Sequence, residues 1–427
     1  MGLKRTRLKY RRLFFPSGKQ FLKKGANGII RQSEFRRVAR SKANMMTATS
    51  PIERVVLTHL QIPLKESFRT PGGEVAIKDA ILVTVETSSG IGHGESSPMA
   101  ASFGYSSDAP DGCWDDLRNT IAPSLIGRTI NSTAEIAALA STWTGSRFAA
   151  AGAENALWDL LGQAHHATIA QMLGAIDEQI SLGVQSGLAV GLYDSIVELL
   201  KTIETHLAEG YRRVKIKIKP GSDVELVRAV RQHFGEIPLM VDGNGAYTSA
   251  DIDVFRELDE FDLLMLEQPM KASDLDGLVR LQEAVSTPVC LDETAETHEL
   301  TAEAIRRRAC RIVNLKIQRV GGLGPARAIH DLCYQQGIAC WVGSMPELGL
   351  GQAHGIHLAT LANCKYPTDI EPAARWFVDD YVVPPLELSA PGLFAVPTRP
   401  GLGFQIDAAK VRRYQVRQVD FTARPAG

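Results

Sequence analysis

Five ionisable residues occur at nearly constant intervals through the middle of the chain. Lys217, Asp242, Glu267, Asp292 and Lys316 are separated by 25, 25, 25 and 24 residues. Each lies near the end of a segment with the short, apolar and β-branched pattern of a buried strand. Since a strand and the helix that follows it occupy a few tens of residues, the interval predicts one charged side chain at the carboxyl end of each of five successive barrel strands. Barrel enzymes carry their active sites at that end.

Three of these residues, Asp242, Glu267 and Asp292, are carboxylates. On neighbouring strands of a partly buried barrel mouth they would repel one another unless a cation lay between them. Oxygen ligands without His or Cys favour a hard divalent ion, so we expect Mg²⁺, with Mn²⁺ as the second candidate. Asn244 and Gln268 lie close to these predicted metal ligands and could support them.

The lysines suggest proton transfer. Lys215 and Lys217 are two residues apart on a predicted strand, so both project to one face, and a neighbouring cation lowers a lysine's pKa toward the range of a base. Lys316, four strands further on, approaches from the opposite side. A metal flanked by lysines suits removal of a proton next to a carboxylate, because the ion stabilises the enediolate and a lysine removes or returns the proton. We predict that Lys215, Lys217 and Lys316 are catalytic.

Each of these signals has an ordinary structural explanation when it is taken alone. Residues 214–219 could form a solvated edge strand, residues 242–245 a turn, and Glu267 could pair with an arginine. Their coincidence on one interval favours a functional site. Two glycine motifs are interpreted as structural: residues 349–355 only loosely resemble a dinucleotide loop, and residues 321–324 form a strand-to-helix turn in preference to an anion site.

The remaining pattern indicates two kinds of structure. Residues 52–143 combine alternating strand patterns with helical segments, which predicts an α+β unit. From about residue 148, strand and helix patterns alternate as in repeated βα units. Beyond residue 384 we expect strand and loop structure. The predicted strands of the second unit are residues 180–185, 213–218, 239–243, 263–268, 289–293, 312–316 and 339–343.

Composition indicates a globular protein with an unusual first segment. Of 427 residues, 44% are hydrophobic and 22% are charged, as in ordinary globular domains. Residues 1–42 carry fourteen Lys or Arg against one acid. We interpret residues 1–49 as a dispensable basic extension, either disordered or preceding the true start at Met45 or Met46. No apolar run is long enough for a membrane span, and the six cysteines show no C-x-x-C spacing, so we expect a cytoplasmic protein.

The combination of motifs resembles the enolase superfamily, in its muconate-lactonizing subgroup. The motifs are Lys215-x-Lys217, Asp242-x-Asn244, Glu267, Asp292-Glu293 and Lys316. The resemblance extends from about residue 52 to about residue 407. It implies an α/β protein with a (β/α)7β modified TIM barrel at residues 148–369. An α+β capping domain made of residues 50–147 and 370–427 would close over the barrel.

Shorter segments are similar to the o-succinylbenzoate synthases and the related N-acylamino acid racemases. They are residues 68–70, 105–107, 215–221, 319–323 and 400–403. This likeness implies a carbon–oxygen lyase of menaquinone biosynthesis, in which Lys217 abstracts the α-proton, Lys316 lies across the substrate and Lys215 tunes Lys217. The alternative is an N-acylamino acid racemase or another racemase or cycloisomerase of the subgroup. Loops at residues 68–73 and 99–105 would cover the substrate.

Two departures from the family pattern concern the substrate. Residues 343–349 read Gly-Ser-Met-Pro-Glu-Leu-Gly where Gly-Gly-Met-x-Glu-Thr-Gly is common, and Gln185 stands where a serine is usual. In the family both positions lie near the substrate pocket. A rival of another class is a catalytically silent barrel that binds nucleic acid through the basic extension, and the intact set of ligands and lysines argues against it. We expect a small carboxylate substrate, no nucleic acid or membrane partner, and a homo-oligomer.

Overall fold

The computed structural model describes residues 49–70, 73–99 and 108–423. The predicted basic extension lies outside these residues, except for Thr49. Parts of the two predicted covering loops, at residues 71–72 and 100–105, also lie outside them. Within the described residues, no helix is both long enough and apolar enough to cross a membrane.

The strands are numbered in chain order. They are β1 (Ile52–Thr70), β2 (Gly73–Thr87), β3 (Gly90–Ser96), β4 (Val184–Gln185), β5 (Leu188–Val190), β6 (Val214–Lys217), β7 (Leu239–Asp242), β8 (Leu266–Glu267), β9 (Val289–Leu291), β10 (Ile312–Leu315), β11 (Ala339–Val342), β12 (Val382–Val383), β13 (Leu393–Phe394), β14 (Gln405–Ile406) and β15 (Gln415–Thr422).

The α-helices are numbered in the same way. They are α1 (Pro110–Asp116), α2 (Ala122–Leu125), α3 (Thr133–Ala140), α4 (Arg147–Ala164), α5 (Ile169–Leu173), α6 (Asp177–Leu182), α7 (Ile196–Leu207), α8 (Val224–Phe234), α9 (Ile252–Leu258), α10 (Leu275–Ala284), α11 (His298–Arg306), α12 (Ile317–Val320), α13 (Leu323–Gln336), α14 (Gly349–Ala359), α15 (Ala373–Trp376) and α16 (Ala408–Tyr414).

An antiparallel sheet and the long helix α4 pack together and are called here the capping domain, although α4 (Arg147–Ala164) extends beyond the predicted boundary at residue 147. The sheet order is β15–β1–β2–β3, so a strand from the carboxyl end of the chain completes a sheet from its amino end. Helix α4 is rich in alanine and packs against β3. The contact is close because Gly94 has no side chain, and a Cβ built there would lie 2.1 Å from the carbonyl oxygen of Gly152.

A parallel sheet in the order β5 to β11 forms the barrel wall. Residues 364–369 close the barrel, since Cys364 bridges in parallel to Cys340 on β11 and Thr368 bridges in parallel to Ser186. The α/β class, the modified barrel and the capping sheet are confirmed. The predicted domain boundaries, residues 50–147, 148–369 and 370–427, stay predictions.

Six of the seven predicted barrel strands overlap β6 to β11. The barrel strand predicted at residues 180–185 is wrong, because half of that range belongs to α6, the two residues of β4 pair antiparallel with β13, and the first parallel strand is β5. Two acids, Asp177 and Glu178, lie in the first turn of α6, and Gly183 ends it with a φ of 72°. Acidic residues favour a helix amino terminus and a glycine with positive φ favours its end. Helix α16 was also not predicted.

The α4–β3 contact gives a first prediction. Gly94→Ala places a Cβ against backbone atoms of α4 that cannot move independently, so we expect a loss of about 2 kcal/mol or more in the free energy of unfolding. Gly112→Ala is the matched control, since no heavy atom lies within 4 Å of a Cβ built at this exposed position. Urea unfolding measures both variants, and equal stability of the two would contradict the close contact.

Candidate active site

The parallel sheet brings the predicted residues to one end of the barrel. Lys217, Asp242 and Glu267 are the last residues of β6, β7 and β8, and the sheet pairs them in that order. Asp292 directly follows β9 and Lys316 directly follows β10. All five side chains are buried. The constant interval in the sequence therefore corresponds to a ring of charged groups at the carboxyl ends of adjacent strands.

The two outer lysines each contact a carboxylate. Lys217 Nζ donates to Asp242 Oδ2 at 2.7 Å and to Asn244 Oδ1 at 2.6 Å. Lys316 Nζ donates to Asp292 Oδ2 at 2.9 Å. Together with Lys215, these lysines line a single cleft. The three predicted catalytic residues therefore meet at one cavity.

Lys215 lies deeper and is surrounded by carboxylates. Its Nζ is 2.5 Å from Asp369 Oδ2, 3.1 Å from Glu267 Oε2 and 3.7 Å from Asp242 Oδ2. Burial alone would lower the pKa of Lys215, but the negative charges of Asp369, Glu267 and Asp242 outweigh burial and raise it. Lys215 is therefore a fixed positive charge and a poor proton acceptor.

Glu267 is the least compensated of the three predicted ligands. Burial raises its pKa to about 8, the negative charge of Asp242 adds to this effect, and Lys215 partly offsets it. Asn314 Nδ2 donates to Oε1 at 2.8 Å, whereas Oε2 accepts no hydrogen bond of good geometry although Lys215 Nζ lies 3.1 Å away. Glu267 shares the ammonium of Lys215 with Asp242 and Asp369, so its negative charge is only partly compensated.

This chemistry fits a hard divalent ion. Asp242, Glu267 and Asp292 supply only oxygen donors, from three adjacent strands, and repulsion between them is relieved by a cation. Among the described residues, no three acidic, His or Cys side chains are grouped as ligands around one point. Ammonium groups and the Arg319 guanidinium contact Asp242 and Asp292 instead. The donor types fit a metal, while the side chains are arranged around lysines.

Several residues of the site were not predicted. Asp369 accepts hydrogen bonds from Lys215 and, at 2.6 Å, from Arg213 Nη2. Asp369 lies at the end of the segment that closes the barrel, so it could have been identified as one more ionisable residue at the carboxyl end of a barrel strand. Asn314 lies two residues before Lys316 on one strand, so alternation of side chains could have identified it. Arg319 carried no periodic signal.

The predicted supporting residues lie where they can orient the site. Asn244, besides accepting from Lys217, donates to Glu293 Oε1 at 3.1 Å. Gln268 Oε1 accepts from the backbone N–H groups of Asp292 and Thr294 at 2.9 and 3.1 Å. These contacts fix the backbone just beyond β7 and β9.

The two departures from the family pattern differ in whether they lie at the cleft. Ser344, Met345 and Pro346 line the cleft, with Trp376 and Val190 on its apolar wall. Gln185 is exposed and pairs with Leu393 of β13, away from the cleft, so its predicted place near the pocket is wrong. The exchange at this position does not alter the cleft surface directly.

The motifs interpreted as structural remain so. Residues 349–355 lie in the buried helix α14. His354 and His357 are buried there and contact the backbone carbonyls of Leu350 and Leu402. The six cysteines are free thiols. Residues 321–324 form a turn, but the predicted strand-to-helix connection is wrong, because the turn joins helix α12 to helix α13, and an acidic side chain contacts it.

Comparison with known families agrees with this architecture. The N-terminal domain model of mandelate racemase / muconate lactonizing enzyme matches residues 52–174, and the enolase C-terminal domain-like model matches residues 198–410. The chain belongs to the enolase superfamily. The resemblance inferred from the motifs is confirmed.

Two relatives and one solved structure that are similar to this chain have named activities. The o-succinylbenzoate synthase of Geobacillus stearothermophilus is 40% identical over 364 residues, which is 85% of this chain and 96% of the relative. The N-succinylamino acid racemase of Amycolatopsis sp. is 39% identical over 350 residues, covering 82% and 93%. A solved dipeptide epimerase from Enterococcus faecalis V583, complexed with Mg and the dipeptide L-Leu-L-Tyr, has a TM-score of 0.76 and 25% identity, covering 83% and 99%.

The buried ion pairs of Asp369 with Arg213 and Lys215 give a second prediction. Asp369→Asn leaves the buried cations Arg213 and Lys215 with less negative charge, so we expect the free energy of unfolding to fall by about 3 kcal/mol. Asp276→Asn is the control, because Asp276 pairs with Arg307 at the surface and its loss should leave stability unchanged. Urea unfolding measures both, and a stable Asp369→Asn variant would show that the pair is not needed.

Proposed function

We propose that this chain is a metal-dependent dehydratase that forms o-succinylbenzoate, a carbon–oxygen lyase of menaquinone biosynthesis. The observation that carries the proposal is the meeting of Lys215, Lys217 and Lys316 on one cleft beside three carboxylates. The named synthase relative, covered over 96% of its length, supports the choice of substrate. The site serves a small carboxylate, and the reaction begins with removal of its α-proton.

Lys217 acts first as a base and then as an acid. It takes the proton from the carbon next to the carboxylate of a cyclohexadiene, and the C–H electron pair moves toward the carboxylate to give an enediolate. The C–O bond on the neighbouring carbon then breaks, the ring becomes aromatic, and the departing hydroxyl takes the proton back from Lys217 and leaves as water. Because proton and hydroxyl leave from the same face, one lysine suffices for both transfers. Lys217 ends the cycle in its starting state.

The other two lysines contribute charge. Lys215, held by Asp369, stays protonated and keeps a positive charge beneath the reacting centre. Lys316 approaches from the opposite side of the barrel, four strands away from Lys217. Its ammonium group lies on the cleft and stabilises negative charge on the substrate.

Asp242, Glu267 and Asp292 are the residues that would hold Mg²⁺. When bound, the ion supplies positive charge beside the substrate carboxylate and so favours the anion formed by proton removal. Their oxygen-only chemistry and the under-compensated charge of Glu267 support this assignment, as does the magnesium in the solved dipeptide epimerase.

A second candidate function is racemisation of an N-acylamino acid. Lys217 and Lys316 face one cleft from opposite sides, which is what removal of a proton from one face and its return to the other requires. The Amycolatopsis relative carries such a name. The proposal further includes a cytoplasmic homo-oligomer without nucleic acid or membrane partners, and light scattering of the purified protein gives the oligomeric state.

Turnover tests the dehydratase directly. We expect the purified full chain to form o-succinylbenzoate with Mg²⁺, to lose activity in EDTA and to regain it when Mg²⁺ is restored. Lys217→Ala should lower kcat by roughly 10²–10⁴-fold, because the base is lost. Lys365→Ala is the matched control, since this exposed lysine lies at the opposite end of the barrel strands, where its N–H bonds Cys340.

Absence of product from folded, metal-loaded protein would overturn the dehydratase. N-succinylamino acids in D₂O then decide the second candidate. Deuterium at the α-carbon of both enantiomers supports a racemase, whereas exchange in neither overturns it as well.

A further inference from the structure

A buried carboxylate of the capping domain reaches into the barrel and has no part in the proposed chemistry. Glu154 on α4 is 1% exposed. Its Oε2 accepts from Leu323 N at 2.8 Å, and its Oε1 accepts from Gly324 N at 2.9 Å and from Trp158 Nε1 at 2.7 Å. The first two donors are the first N–H groups of α13, whose own N-cap residue, Gly322, has no side chain to bond them. Glu154 therefore supplies the negative charge that a helix amino terminus favours.

The turn that receives Glu154 depends on two adjacent glycines. Gly321 and Gly322 have φ angles of 97° and 133°, and a Cβ on Gly322 would lie 2.4 Å from Glu154 Oε2. Glycine is therefore needed both for the backbone conformation and for the close approach. The N–H groups of Gly321 and Gly322 donate to Ile317 O at 3.2 and 2.9 Å and close the end of α12. Adjacent glycines leave the backbone many accessible conformations, so the contact with Glu154 adds to these local bonds in favouring one of them.

This turn lies close to Lys316 along the chain. Lys316 is the N-cap residue of α12, a single helical turn, and Gly321 follows α12 directly. Gln318 within α12 is also tied to the capping domain: its Nε2 donates to Glu95 O at 2.8 Å and its Oε1 accepts from Ser97 N at 3.0 Å. The segment that carries Lys316 is thus held to the capping domain at two places.

The segment after Lys217 has a different kind of support. Ile218 N donates to Asp242 O at 2.9 Å, and the Tyr247 hydroxyl donates to Asp223 Oδ2 at 3.2 Å. These partners belong to the barrel itself. A change at Glu154 should therefore reach Lys316 and leave Lys217 in place.

We propose that Glu154 is a positioning residue for Lys316, acting through the turn at residues 321–324. It does not touch the substrate. An effect of Glu154 on catalysis rests on the proposed function, because it requires Lys316 to act on the substrate. An effect of Glu154 on the position of Lys316 does not depend on the proposed function. The glycines of residues 321–324 are compatible with an anion site, and the anion bound there is the carboxylate of Glu154.

The test compares Glu154→Gln with Asp159→Asn. A glutamine keeps the shape of Glu154 but replaces one acceptor oxygen with a donor that faces a backbone N–H, so the turn loses a hydrogen bond and the charge. Asp159 is a matched control because it is a buried carboxylate of the same helix that also accepts two backbone N–H groups. Those groups belong to His93 and Leu402, at 2.9 and 2.8 Å, and neither residue is part of the turn.

The measurement is trace acetylation of lysines in the full chain with Mg²⁺, followed by mass spectrometry. Burial raises the pKa of Glu154 to about 7, so the work is done at about pH 8, where the carboxylate is charged. We expect Glu154→Gln to change the labelling rate of Lys316 several-fold relative to Lys215, Lys217 and Lys219. Asp159→Asn should leave those ratios as they are. Kinetics accompany the labelling, and kcat of Glu154→Gln should fall about tenfold with little change in KM.

Other outcomes overturn the proposal. Unchanged labelling of Lys316 would show that Glu154 does not place it, and an equal rise at all four lysines would show that Glu154 only holds the fold. If the wild-type chain turns over neither substrate, the proposed function fails, but the labelling ratios still decide the positioning role. Should Glu154→Gln fail to fold, Gly322→Ala displaces the same carboxylate from the other side and must give the same selective change.

Discussion

Repulsion between buried carboxylates on adjacent strands is the constraint around which this protein is organised. Asp242, Glu267 and Asp292 are each nearly inaccessible to solvent. Water cannot screen their charges there, so each needs a positive partner within the barrel. Lys215 and Lys217 meet this need on one side, and Lys316 meets it on the other. Because the partners are shared, loss of any one charge leaves the others uncompensated.

The same constraint links the lysines to ion binding. Lys217 contacts Asp242 and Lys316 contacts Asp292, so each predicted base is hydrogen-bonded to a predicted metal ligand. Any cation that binds these carboxylate oxygens competes with the ammonium groups for them. The groups that move protons and the groups that hold an ion therefore form one electrostatic unit, and a substitution in either set is felt by both.

The sequence predicted the parts of this unit that follow from strand periodicity. The interval of 24 or 25 residues reflects the length of a βα unit, so the ends of β6 to β10 could be aligned without a structure. Asp369 was not found, because the segment that closes the barrel is bridged at single residues and lacks a regular strand pattern. The strand placed at residues 180–185 failed because a short helix with apolar residues has no distinctive period.

Contacts over long sequence separations were beyond this reasoning. Glu154 and Leu323 are 169 residues apart, and the pattern of α4 indicates only an alanine-rich buried helix. A carboxylate inside such a helix is costly to bury unless it has a partner. The sequence shows the buried acid but does not show which group pairs with it. Here two backbone N–H groups of a barrel helix pair with it. A buried acid in an otherwise apolar helix is therefore a signal that a helix terminus or a cation lies opposite.

The two reactions considered for this site share removal of the α-proton and differ in what happens on the other face of the substrate. In dehydration Lys217 passes the proton to the hydroxyl that departs from the same face, whereas racemisation requires Lys316 to exchange a proton across the cleft. The surroundings of Lys217 are therefore common to both reactions. Differences in outcome must come from the Lys316 side, where the salt bridge to Asp292 and the turn contacted by Glu154 set the position of the ammonium group. Since Gln318 and Glu154 tie that side to the capping domain, the proposed positioning of Lys316 would let the capping domain influence the choice of reaction.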